Sequence, residues 1–275
     1  MAIEKVVNTN EDAVKRGKLL TLSLLIALSI FIQTILKVNE GDVVRTILTA
    51  LVYFGVSAVG LIWAFNFQVR FKSIPFLVQS ALFVASEYLF VQLFFVQKFS
   101  RIYEGLLLLI LIGIVFVGTY VSFLMSNVFN VNLYKNIPLV NVGRTTSYII
   151  SSFTLFFFLF SLLALQLPIY FLLPLVIVVS VFLSYIHLKN LGYEGILLTR
   201  KTLLVSFLVL FMFLGSFLSG VTHEVSVLGP VVGYFVGIGV ANMKSTKANK
   251  NLELLMYISI LIAITFIILR LNIFA

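Results

Sequence analysis

A carboxyl side chain stands inside a long apolar run. Glu87 lies in Ala85-Ser-Glu-Tyr-Leu89, close to the middle of a hydrophobic stretch from residue 74 to residue 96. On a helix, Ser80 shares the face of Glu87, and Gln79 and Ser86 lie on the neighbouring strip. A charged carboxylate in the bilayer centre costs about 2.5–3.5 kcal/mol, so Glu87 must face other helices or water. It is therefore either a proton-coupling or cation-binding group, or a protonated acid hydrogen-bonded to a neighbouring helix.

A second pattern consists of small residues. Gly229, Gly233, Gly237 and Ala241 recur every four residues and predict one smooth face of a helix. Such a face lets another helix approach closely in a membrane. The partner is either another span of the same chain or a second copy of the protein. A substrate path beside Pro230 is a further alternative.

A third candidate is the polar stretch from residue 126 to residue 146, which we predict to be a structured loop between the fourth and fifth spans. Asparagine, proline and glycine disfavour helix there. Its Lys135 and Arg144 could hold a lipid headgroup or an acidic group of a partner. Alternatively, they are membrane anchors and the asparagines are turn residues. The stretch contains the asparagines Asn127, Asn130, Asn132, Asn136 and Asn141.

Catalytic and metal-binding patterns are missing from the sequence. His223 and Glu224 are adjacent, which does not orient both toward one metal, and the other histidine, His187, is predicted at the opposite membrane face. Phosphate-binding loops, dinucleotide fingerprints and paired-aspartate motifs are also missing. We expect no metal, no cofactor and no enzymatic activity.

The composition identifies the solvent of this chain. Of its 275 residues, 61% are hydrophobic and 11% are charged, and the mean hydropathy is +1.15. Soluble domains have about 25% charged residues. The net charge of +9 comes from basic residues at the ends of apolar runs, where they suit anionic lipid and give no reason to expect nucleic acid. The chain is predicted to lie in a lipid bilayer.

About 20 apolar residues cross the hydrocarbon core as a helix, because only a helix satisfies its own backbone there. We predict an all-α, polytopic transmembrane helix bundle forming a single domain over residues 1–275, with a polar tail at residues 1–18. The eighth span contains four glycines and Pro230, and the count falls to eight if it only dips into the membrane. The nine predicted spans are 19–36, 46–66, 74–96, 105–125, 147–166, 169–187, 202–220, 225–243 and 253–271.

The distribution of Lys and Arg predicts the orientation. When the nine spans alternate, 14 of the 19 basic residues fall on the side of the N-terminus. Basic residues accumulate on the cytoplasmic side of membrane proteins. We therefore expect a multi-pass protein of the cytoplasmic (inner) membrane with a cytoplasmic N-terminus.

The segment Asn127-Val-Phe-Asn-Val131, followed by Arg144 and by an aromatic-rich span ending before Pro168, resembles a family of uncharacterised polytopic membrane proteins. That family is described only as a domain of unknown function. The resemblance covers roughly residues 100–190. It implies a multi-spanning fold and assigns no activity and no site residue.

Three classes of function remain open at this point. The first is a non-enzymatic membrane component, such as a scaffold subunit, with a homo-oligomer or other membrane subunits as partners. The second is a small permease or proton-coupled carrier in which Glu87 faces a water-accessible cavity beside Gln79, Ser80 or Gln92. The third is an intramembrane enzyme, which needs at least two convergent catalytic groups.

Overall fold

The computed structural model describes residues 2–36, 38, 42–95, 104–131, 137–220, 222–243 and 250–273. Regular structure within these ranges is helical. A 3₁₀ turn, Phe71–Ser73, leads into the third helix, and a π-helical segment, Val91–Phe95, continues it. The helices are α1 Ala2–Ile35, α2 Val43–Ala64, α3 Ile74–Phe90, α4 Glu104–Val131, α5 Ile137–Ala164, α6 Ile169–Asn190, α7 Gly195–Leu218, α8 His223–Ser226, α9 Leu228–Ala241 and α10 Lys250–Ile273.

The described part of the chain contains eight helices that are long and apolar enough to cross a bilayer. They confirm the all-α polytopic bundle, and the protein is an integral membrane protein. The predicted span at 225–243 is instead the 14-residue helix α9. At 1.5 Å per residue, α9 is about 21 Å long, which is less than the hydrocarbon thickness of about 30 Å. Eight helices of the described part therefore have the length needed for a span, and α9 is shorter than that.

The predicted loop at residues 126–146 is wrong for most of its length. Helix α4 continues to Val131 and α5 begins at Ile137, so Asn127, Asn130 and Asn141 are helical. Pro138 is tolerated because it occupies the first turn of α5, where a backbone N–H has no intrahelical acceptor. Lys135 lies outside the described residues. The predicted polar tail is likewise helical from Ala2, as the beginning of α1.

The chain forms two compact units rather than the single domain expected from the sequence. The N-terminal unit comprises residues 1–150 and the C-terminal unit residues 151–275. The boundary falls inside α5. Each unit is described below by itself.

Helix α3 is the core helix of the N-terminal unit. Its span is 72% buried, compared with 28% for the span of α2 and 28% for that of α4. An aromatic pair contributes to this burial, since the rings of Tyr53 on α2 and Tyr88 on α3 lie 4.7 Å apart. The short connection between these two helices turns through Asn66 and Phe67, which both have positive φ angles of 55° and 61°.

In the C-terminal unit, α9 runs antiparallel to α7. Gly229 lies against Ser216 near the end of α7, and Gly237 lies against Val205 near the middle of α7. Although α9 is short, it returns the chain toward the side at which α7 starts. Helix α10 then packs along α9, with the ring of Tyr257 6.3 Å from that of Phe235.

Candidate functional site

Helices α3 and α4 are joined by a set of hydrogen bonds at regular intervals, here called the α3–α4 ladder. Ser73 precedes α3, and Ser80 and Glu87 follow at intervals of seven residues, which places the three side chains on one face. Their partners on α4 are spaced by three or four residues and also share one face. These partners are Asn130, Ser126, Ser122 and Thr119.

The ladder runs antiparallel from the end of the bundle toward its interior. Ser73 Oγ donates to Asn130 Oδ1 at 2.8 Å. Ser80 Oγ donates to the carbonyl oxygen of Ser122 at 2.8 Å and lies 2.7 Å from Ser126 Oγ. The three bonds satisfy polar groups that the hydrocarbon could not solvate.

Glu87 is the innermost member of the ladder. Thr119 Oγ1 donates to Glu87 Oε2 at 3.0 Å, and Glu87 is only 2% exposed. The carboxyl group lies against Gly118, where a Cβ atom would be 3.0 Å from Glu87 Oε1 and 3.2 Å from the Phe83 ring. The absence of a side chain at Gly118 therefore makes room for the carboxyl group between the two helices.

The neighbouring strip of α3 contacts a different helix. Gln79 Nε2 donates to the carbonyl oxygen of Ser147 on α5 at 3.0 Å, and Ser147 Oγ donates back to Gln79 Oε1 at 3.2 Å. Ser86 instead donates to the carbonyl oxygen of Phe83 within α3. The four polar residues predicted from the sequence are thus all buried, but they do not converge on one point.

Farther along the chain, Gln92 extends these contacts to α1. Its Nε2 donates to Thr34 Oγ1 at 3.1 Å, and Thr34 donates in turn to the carbonyl oxygen of Ile30. Gln92 lies in the π-helical segment that follows Glu87. Helix α3 and its continuation are therefore hydrogen-bonded to α1, α4 and α5.

Asn130 is a structural residue that the sequence interpretation assigned to a loop. Its Nδ2 donates to the carbonyl oxygen of Gln68 at 2.9 Å, and its Oδ1 accepts hydrogen bonds from Ser73 and from the backbone N–H of Arg70. One amide thus fixes the connection between α2 and α3 against the end of α4. The signal was present in the sequence as polar residues at helical spacing: Thr119, Ser122, Ser126 and Asn130.

The predicted small-residue face of α9 is turned toward α7 of the same chain. A Cβ atom at Gly233 would lie 2.9 Å from the carbonyl oxygen of Leu208, and one at Gly237 would lie 3.1 Å from Val205 Cα. The side chain of Ser216 occupies the corresponding space at Gly229. The glycine face is therefore filled by α7 in this structure.

The C-terminal end of α9 is held by a cation. Lys201 Nζ donates to the carbonyl oxygen of Ala241, the last member of the small-residue series, and lies 3.7 Å from the centre of the Tyr193 ring. A cation at this position also suits the negative end of the helix dipole. Lys201 and Tyr193 thus fix where α9 ends relative to the beginning of α7.

The remaining candidates do not form a catalytic or metal-binding arrangement in the described part of the chain. His187 is buried in α6, at 5% exposure, whereas His223 and Glu224 lie in the short helix α8. The described residues contain no group of three metal-ligating side chains. Arg144 is half-buried on α5, and its Nε has no hydrogen-bond partner among the described residues.

Comparison of the chain with models of protein families, with curated proteins and with solved structures gives no match. The resemblance of residues 100–190 to a family of unknown function therefore receives no support from the family models.

Proposed function

We propose that this protein is a non-enzymatic component of the cytoplasmic membrane, a scaffold or a subunit, whose N-terminal unit is organised around α3. The observation that supports the proposal is how the polar side chains of α3 are used. Gln79, Ser80, Glu87 and Gln92 each contact a neighbouring helix through a hydrogen bond. They stabilise the bundle instead of lining a path for a solute.

The position of Glu87 supports a structural role. A coupling carboxylate in a carrier must exchange its proton or cation with water during transport. Glu87 is 2% exposed, and its hydrogen bond comes from the neutral hydroxyl of Thr119. One hydroxyl donor suits an uncharged carboxylic acid, because an ionised carboxylate in apolar surroundings needs a cation or several donors.

The outer surface supports a role in association with lipid or with other membrane proteins. The span of α10 is only 6% buried. Acyl chains or a second membrane subunit would cover its exposed apolar residues. These include Leu252, Leu255, Ile258, Ile262 and Phe266.

The orientation belongs to the same proposal. At one end of the N-terminal unit, Lys18 on α1 donates to Asn66 in the α2–α3 connection, and Arg16 lines a groove together with Gly143, the neighbour of Arg144 on α5. The positive-inside rule assigns such an end to the cytoplasm, which agrees with a cytoplasmic N-terminus. The cations at this end include Arg16, Lys18, Arg70, Lys72 and Arg144.

Proton flux across liposomes tests the proposal. Wild type and Glu87→Gln would be reconstituted separately, and the decay of an imposed pH gradient would be followed with a trapped pH-sensitive dye. We expect the two proteins to give the same decay as protein-free liposomes. A faster decay with wild type that Glu87→Gln abolishes would replace the scaffold proposal with the carrier.

A proton-coupled carrier is the second candidate because of one local feature. The π-helical segment Val91–Phe95 begins one turn after Glu87. Such segments are rare and frequently occur at functional sites, since they leave the regular hydrogen-bond pattern of the helix. A shift of this segment to regular α-helix would rotate the residues that follow Glu87.

A further inference from the structure

A groove opens between α1, α4 and α5 in the N-terminal unit and has a volume of about 320 Å³. It is lined mostly by apolar side chains from α4 and α5. In this lining, Arg16 supplies a charged group and Asn127 supplies an amide group. The apolar part is formed by Val121, Leu124, Met125, Val128 and Val142.

The groove has a polar end and an apolar continuation. Tyr120 and Asn127 both line it, and seven residues of helix separate them, which corresponds to about 10 Å along α4. Asn127 lies one turn from Asn130, which contacts the Arg70 backbone at the cationic end of the unit. The groove therefore runs from the level of the cations into the hydrocarbon.

Two polar side chains of the lining, Arg16 and Asn127, are available to a ligand. Arg16 is exposed and has no ion-pair partner among the side chains that the structure describes. Asn127 makes no hydrogen bond with a described residue, which leaves its amide NH₂ to donate to a ligand, while its buried Oδ1 can only accept. A guanidinium and an amide NH₂ are both hydrogen-bond donors, and the guanidinium matches the geometry of a phosphate group.

The charged side chains that the structure describes around the groove favour an anion. Lys18 stands two residues after Arg16 on α1, and Arg144 follows the groove residue Gly143 on α5. The acidic side chains described in this unit lie elsewhere. Asp42 precedes the first residue of α2, at the end of that helix that is opposite to the α2–α3 connection, and Glu87 is buried in the bundle. Lys and Arg near the membrane surface attract anionic lipids by about 1 kcal/mol each.

We propose that this groove binds one anionic phospholipid, with a phosphate oxygen at Arg16 and Asn127 and an acyl chain along Val121, Leu124 and Val142. A soluble anion would occupy only the polar end of the groove, whereas a phospholipid also fills its apolar part with an acyl chain. The site does not depend on whether the protein is a scaffold or a carrier.

The test is a binding titration of the purified full-length chain in detergent, read by native mass spectrometry. The probes are phosphatidylglycerol and phosphatidylcholine with the same acyl chains. We expect wild type to prefer phosphatidylglycerol, and Arg16→Gln to weaken phosphatidylglycerol binding about fivefold, which corresponds to one surface cation. We expect Asn127→Ala to weaken the binding of both lipids, because both carry the phosphate.

Two further variants locate the site. Lys72→Gln removes an exposed cation that does not line the groove, and we expect it to change binding less than Arg16→Gln does. Val142→Trp fills the groove from an exposed position, and we expect it to weaken the binding of both lipids. An excess of inorganic phosphate should not displace the bound lipid.

Three results would overturn the proposal. Equal losses of phosphatidylglycerol binding in Arg16→Gln and Lys72→Gln would mean that the general surface charge attracts the lipid. If Val142→Trp binds the two lipids as tightly as wild type does, the lipid lies outside the groove. Displacement by inorganic phosphate would identify a site for soluble anions.

Discussion

Replacing Thr119 by valine removes one hydroxyl from the α3–α4 ladder and leaves the side-chain volume nearly unchanged. Glu87 then loses its donor at 3.0 Å. Water cannot replace that donor easily, since Thr119 is 0% exposed and Glu87 is 2% exposed. Hydrogen bonds between membrane helices contribute about 0.6–1.7 kcal/mol, and an unsatisfied buried acceptor costs about 1–3 kcal/mol. We therefore expect Thr119→Val to lower the free energy of unfolding by about 1–2 kcal/mol.

Reversible unfolding of the detergent-solubilised protein by sodium dodecyl sulfate, followed by circular dichroism, measures this free energy. A double-mutant cycle isolates the pair. Glu87→Leu removes the acceptor, and the double variant with Thr119→Val leaves neither partner unsatisfied. We expect the double variant to be more stable than the sum of the single effects indicates, by about 1 kcal/mol.

Thr145→Val is the matched control, because Thr145 is exposed and donates within its own helix to the carbonyl oxygen of Asn141. We expect Thr145→Val to change the free energy of unfolding by no more than about 0.5 kcal/mol. Strict additivity of Thr119→Val and Glu87→Leu would refute the reasoning, because it would show that the two side chains do not interact in the folded protein.

Two more predictions use the same unfolding assay. Gly233→Ala places a Cβ atom 2.9 Å from the carbonyl oxygen of Leu208 and should lower the free energy of unfolding by about 1–3 kcal/mol. The control is Gly113→Ala, where the added Cβ atom has no neighbour within 4 Å, and this variant should be as stable as wild type or more stable. Equal stability of the two alanine variants would contradict the close approach of α7 and α9. Asn130→Ala should lower the free energy of unfolding by about 1–3 kcal/mol, because Gln68 and Ser73 lose their hydrogen-bond partner. The control is Asn141→Ala at an exposed site, which should change this free energy little. A similar loss for both asparagines would show that Asn130 does not fix the α2–α3 connection.

The long spans and one half of the ladder could be predicted from the sequence. Runs of about 20 apolar residues specify membrane helices by length alone. The interval of seven residues between Ser80 and Glu87 places both on one face of any helix. Their partners were missed because periodicity within one helix does not indicate which helix lies opposite.

The asparagine-rich stretch shows where local propensity fails. Asn130 disfavours helix when only its own backbone is considered. In the structure its amide bonds to the connection before α3, and this tertiary contact supports helix up to Val131. The short length of α9 was suggested by Pro230 and the glycines, but its pairing with α7 depends on space between helices that a sequence pattern does not specify.

The accessibility of Glu87 to water tests most directly whether the polar groups of α3 are used for packing. The folded protein would be treated with a water-soluble carbodiimide and an amine, and labelled carboxyl groups would be identified by mass spectrometry. The exposed Glu194 is the internal standard. We predict that Glu194 is labelled, and that Glu87 stays unlabelled until the protein is unfolded. Labelling of Glu87 in the folded protein at a rate comparable to that of Glu194 would contradict the account.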